Sequence, residues 1–118
     1  GCGPCTQISV GLAAEGGVAP AGLRASLAGD AGAMGEPAWL AYRFAKASLE
    51  RDMITADPLR DEILRRWGQR GLTAISLALT TARMYPTLKY AMGHGKTCSK
   101  VVVDGALAPF VKPERLAA

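Results

Sequence analysis

Apolar positions recur along this chain at three- and four-residue spacing instead of strict alternation, so helices are the elements it predicts. From Pro4 to about Glu15, the residues Cys5, Ile8 and Leu12 make one such stripe, and Gly16-Gly17 ends it. Pro20 restarts the chain at a first-turn position. Leu23 and Leu27 lie one turn apart, and Gly29-Asp30 stops this short helix. Residues 30–35 are small and read as a loop. Glu36-Pro37 opens the next helix, with Leu40, Phe44 and Ala47 on one face and Trp39 and Tyr42 alongside. Arg43, Lys46 and Glu50 cover its outer side.

Asp57-Pro58 has the chemistry of a cap followed by a first helical position. Leu59, Ile63 and Trp67 then form a stripe that Gly68 closes. Gly71 to about Met92 predicts the longest helix, apolar on most sides between Leu72 and Ala82, as a central or interface helix is. Pro86 predicts a kink or break around residues 83–86, and Gly93-His94-Gly95 ends the element. Residues 100–103 could be extended, but one short run without a partner does not predict a sheet. Trp39, Phe44, Trp67 and Tyr85 fall at helical spacings and read as core. The expectation is an all-α fold of five or six helices in about one compact domain, residues 1–104. A loosely packed C-terminal arm, residues 105–118, follows, marked by Pro109 and Pro113.

Composition narrows the class. A chain of 118 residues, 49% hydrophobic and 20% charged, is one domain able to build its own core. Its net charge of +4 is spread among acids, with no basic run interleaved with aromatics, so nucleic acid is not the expected partner. No stretch approaches the roughly 18 apolar residues of a membrane span, and no secretory signal pattern is present. The three cysteines are too few for a secreted disulfide scaffold, which points to a reducing cytoplasm and a functional pair. The chain opens inside its best motif without a methionine, so it is expected to lack the N-terminal part of its domain.

That motif is Gly1-Cys2-Gly3-Pro4-Cys5, running into Thr6-Gln7-Ile8. One turn of helix brings two sulfurs at this spacing within reach. Pro4 suits a first turn, and unpaired backbone N–H groups there stabilise a thiolate. The same spacing is half of a metal site. Cys2, Cys5, His94 and Cys98 together would make a tetrahedral zinc set, although His94 reads as an exposed turn residue and Cys98 as a structural thiol. Arg83 and Lys89 flank the expected kink and could face an anionic ligand.

The order of several segments resembles the carboxymuconolactone decarboxylase-like, or alkylhydroperoxidase D-like, family. The segments are Cys2 to Gln7, Ala45 to Leu49, Leu59 to Ile63, Arg66-Trp67-Gly68, Arg70-Gly71-Leu72, Ala82 to Lys89 and Gly93 to Cys98. The resemblance runs from Gly1 to about Val103. It implies an all-helical fold with the cysteine pair at a helix start, assembling as trimers or larger rings. It also implies that Cys5 attacks a peroxide and Cys2 resolves the product into a disulfide, which a dithiol reductant reopens, with no cofactor. Redox members carry a histidine where this chain has Ser9, and a glutamate upstream of the first cysteine. A serine hydroxyl relays a proton or holds a water but is no base at neutral pH. The expected activity is therefore a thiol–disulfide oxidoreductase of alkylhydroperoxidase type using Cys2, Cys5 and Ser9. The alternative is a non-catalytic helical oligomerisation module that keeps the fold.

Overall fold

The computed structural model describes residues 3–94 and 100–109. Five helices are followed by a β-hairpin: α1 (Gly3–Glu15), α2 (Pro20–Ala28), α3 (Ala31–Met34), α4 (Glu36–Glu50), α5 (Met53–Ala91), β1 (Val101–Val103) and β2 (Ala106–Ala108). The architecture is mainly helical, and no helix among the described residues is long and apolar enough to cross a membrane.

The stop signals act where the sequence places them. Gly29 takes a left-handed conformation at the end of α2, and its N–H bonds the carbonyls of Ala25 and Ser26. Gly68 breaks α5 with φ 65° and ψ −171°, a backbone region that only glycine enters without strain. Residues 53–67 and 69–91 are thus two helical segments meeting at one residue.

Other boundaries differ from expectation. Residues 31–34 form a helical turn, because the Asp30 carboxylate accepts hydrogen bonds from the N–H groups of Gly32 and Ala33. Asp52, not Asp57, caps α5, accepting from the Thr55 N–H at 3.1 Å. Asp57 instead pairs with Arg60, and Pro58 lies inside the helix. The missing Pro58 N–H would have served the carbonyl of Ile54, a residue 90% exposed. The backbone also stays helical through Pro86, where a break was expected; Gly68 alone departs from helical geometry.

The hairpin is the main correction to the all-helical expectation. Val101, Val102 and Val103 pair antiparallel with Ala108, Leu107 and Ala106. The turn residues Asp104 and Gly105 both have positive φ, 50° and 72°, as a type I′ turn requires. The arm expected from residue 105 therefore begins as a paired strand, and residues 110–118 lie outside the described part.

Two apolar clusters hold the chain together. Val10, Leu23, Val101, Val103 and Ala108 form one, placing the hairpin against α1 and α2. Leu40, Phe44, Leu59 and Ile63 form the other, between α4 and α5, with Leu72, Ile75 and Leu79 packed on it. Ile63 is completely buried. Of the aromatics read as core, Phe44 is buried. Trp39 is half-buried and stacks on Tyr42 at 5.4 Å, while Trp67 and Tyr85 are exposed. Residues 69–91 are not central: Leu77, Met84 and Leu88 stand 60%, 52% and 53% exposed.

Candidate functional site

Helix α1 carries Cys5 in its first turn, with Pro4 just ahead of it and no acidic side chain in that turn. Unpaired N–H groups and the positive end of the helix dipole therefore act on this sulfur without an opposing carboxylate. Cys5 is half-buried, and its sulfur is held in a disulfide. Cys2 lies outside the described residues, as does Cys98.

Ser9 follows one turn later. Its hydroxyl donates to the Cys5 carbonyl oxygen at 3.2 Å, so its proton is committed to the helix backbone. Its oxygen still has lone-pair capacity, but it lacks the basicity of an imidazole.

The stripe expected to bury α1 does something else. Val10 is the side chain that α1 sends into the core, whereas Ile8 and Leu12 are 66% and 64% exposed. With Cys5 and Ser9 they form one wall of a cleft of about 360 Å³. The other wall comes from α5: Ala78, Thr81, Ala82, Tyr85 and Pro86. Ala78 and Ala82 lie one turn apart and leave the space; larger residues there would close it. The Thr81 hydroxyl donates to the carbonyls of Leu77 and Ala78. Pro86 has no N–H to give the Ala82 carbonyl, so that oxygen loses its usual helical donor beside the cleft. The sequence marks Pro86 and Tyr85, but as a kink and as core. Only the approach of α1 to α5 makes them neighbours of Cys5.

Side-chain contacts fix the hairpin against α1 and α2. The Gln7 side-chain amide donates to the Val102 carbonyl at 3.0 Å and accepts from the Val102 N–H at 2.7 Å. Arg24 on α2 donates to the Val103 carbonyl at 2.6 Å. Gln7 is two residues from Cys5, so the hairpin supports the turn that bears the sulfur.

The zinc set named from the sequence is not assembled among the described residues. Cys2 and Cys98 lie outside them, and a disulfide sulfur such as that of Cys5 is no thiolate donor. His94 is exposed just after α5, its N–H bonding the Lys89 carbonyl at 2.9 Å. No group of three metal-binding side chains occurs among the described residues. No family model matches the chain, and neither a curated protein nor a solved structure is significantly similar to it.

Proposed function

We propose that this chain is a thiol–disulfide oxidoreductase of alkylhydroperoxidase type, with the alkylhydroperoxidase D-like variant of the helical fold. The observation that carries the reading is the disulfide-bonded Cys5 in a helix first turn, opening on an apolar cleft. A sulfur already able to enter a disulfide, next to a space that an organic substrate fills, supports redox use over a packing role.

In the proposed cycle the reduced Cys5 thiolate attacks the outer oxygen of a hydroperoxide. The O–O bond breaks, Cys5 becomes a sulfenic acid, and the alkoxide leaves as alcohol after taking a proton. The Cys2 thiol then attacks that sulfur, water leaves, and the Cys2–Cys5 disulfide forms. A dithiol reductant restores both thiols by exchange and is itself oxidised to a disulfide. Ile8, Leu12 and Ala82 favour an apolar organic peroxide or disulfide. Ser9 in place of a histidine leaves the proton traffic to water, which predicts slow peroxide turnover beside faster thiol exchange.

The pH dependence of thiol alkylation, with mass mapping of the disulfide, tests this. Reduced Cys5 should react at half-maximal rate well below pH 8.5, the free-cysteine value of about 8.5 being the reference. Cys5→Ser should abolish thiol-dependent turnover. Ordinary titration of both thiols and unchanged peroxide consumption in Cys5→Ser would overturn it.

The exposed Leu77, Met84 and Leu88 favour a second reading, a non-catalytic helical module whose purpose is self-assembly into a trimer or larger ring. On that reading Cys5→Ser leaves assembly and stability intact, and sedimentation shows concentration-dependent association that Leu88→Lys abolishes.

A further inference from the structure

Away from the Cys5 cleft, α4 and the 69–91 segment of α5 line an open trough of about 850 Å³. Its floor is apolar, with Phe44 from α4 and Leu79 and Leu88 from α5. Its polar groups are few and lie on both sides: Ser48 on α4, Ser76 and Arg83 on α5. Among the described residues no carboxylate lines the trough, and Arg83 has no carboxylate partner there. In the 53–67 segment of α5, by comparison, Arg60, Arg65 and Arg66 are paired to acids. The Ser48 and Ser76 hydroxyls are likewise without a described partner, whereas the Thr80 and Thr87 hydroxyls are turned back onto carbonyls of their own helix.

We infer that this trough binds an amphiphilic monocarboxylate, with the head group on Arg83 and the acyl chain running along Leu88 towards Ala91. Charge decides the class of ligand. A guanidinium with no carboxylate partner among the described residues, beside apolar surface and with only hydroxyls as further polar groups, complements one anionic head on a greasy tail; it repels a cation and leaves a neutral alkane without polar contact. Size agrees, since the volume falls inside the range of small-molecule sites, about 300–1,000 Å³. From Arg83 to the end of the trough at Ala91 is on the order of 12 Å at the helical rise of 1.5 Å per residue, which suits a medium-length acyl chain better than a long one. Arg83 reaches such a carboxylate in a two-bond fork, giving the head group a fixed orientation.

Fluorescence titration with 11-(dansylamino)undecanoate, followed by displacement with decanoate, decanol and decyltrimethylammonium, tests the assignment. Decanoate should displace the probe at least tenfold better than decanol, and decyltrimethylammonium should not compete. Arg83→Gln should weaken decanoate about tenfold and leave decanol unchanged, the loss of one charge-assisted contact. Leu88→Glu, an exposed position, should weaken the probe without changing the helical circular dichroism. Equal displacement by decanol and decanoate, or an Arg83→Gln variant that binds decanoate normally, would overturn it. So would absence of probe uptake together with a dimer that buries the trough in sedimentation.

Discussion

The Gln7 side chain caps the outer edge of β1 by bonding both backbone groups of Val102, a residue 95 positions away. The amide acts as a one-residue strand, giving the hairpin edge a donor and an acceptor that would otherwise face water. It links the cysteine-bearing helix directly to the hairpin. Each such bond contributes about 0.5–1.5 kcal/mol. Gln7→Ala should therefore cost about 1–3 kcal/mol in urea unfolding, and hydrogen exchange at the Val102 N–H should accelerate. Gln7→Glu keeps the acceptor but sets an oxygen against the Val102 carbonyl, so it should be no better than alanine.

Gly71 offers a test in which two effects of opposite sign compete. Glycine to alanine in a helix normally stabilises by about 1 kcal/mol. Here a Cβ would fall 2.3 Å from the Trp67 Cβ, and that atom, anchored to the backbone, has little room to give. The close approach exists because the Gly68 break folds the 69–91 segment back on residue 67. Gly71→Ala should lower the midpoint of thermal unfolding, and Gly68→Ala should do so too, by strain of about 1–3 kcal/mol. A midpoint raised by Gly71→Ala would contradict the geometry.

Acid stability should depend on a small ionic network between α4 and α5. Glu36 pairs with Arg66, and Glu62 pairs with Arg65 and Arg66. Hydrogen bonding from Arg66 holds the Glu36 carboxyl below its ordinary 4.5, and that from Arg65 does the same first for Glu62, with Arg66 adding to it. Carboxyls depressed in the fold stabilise it above that ordinary value, and the contribution fades as pH falls through the lower folded values. Thermal melts from pH 7 to 2 should show a decline in wild type that a Glu36→Gln/Glu62→Gln variant shows less steeply. The groups are exposed, so 1 M salt should shrink the difference.

The Cys5 cleft predicts selective obstruction. Ala82→Phe fills its α5 wall at an exposed position and should leave stability within about 0.5 kcal/mol. In the reduced protein, it should slow oxidation of Cys5 by cumene hydroperoxide several-fold more than oxidation by hydrogen peroxide, read by loss of alkylatable thiol. Equal slowing of both would mean that the apolar substrate does not use this space.

Much of the helical skeleton is legible in the sequence because its causes are local. Proline at Pro20 and Pro37, the stop at Gly29, the break at Gly68 and the Leu40-Phe44-Ala47 face each follow from backbone preference and 3.6-residue periodicity. Asp104-Gly105 between two short apolar runs is an equally local hairpin signal, but strands of three residues show too little alternation for residues 106–108 to stand out as the partner of 101–103. Asp52 and Asp57 are both acceptable caps in sequence. Asp52 prevails because the chain turns at Arg51, which takes a left-handed conformation at the end of α4.

By itself, then, the sequence determined where helices run and that Cys5 sits at the start of one. Tertiary structure decided which faces they bury. Periodicity places Cys5, Ile8 and Leu12 on one side of α1, but a stripe packs inward only if a partner meets it. The hairpin instead takes the Val10 side through Val101 and Val103, and Gln7 fixes it there. The Cys5 side is left to face Ala78 and Ala82 across an open cleft, far along the chain. A candidate site made by two helices meeting through small residues has no local signature, because the space it needs comes from side chains that are absent.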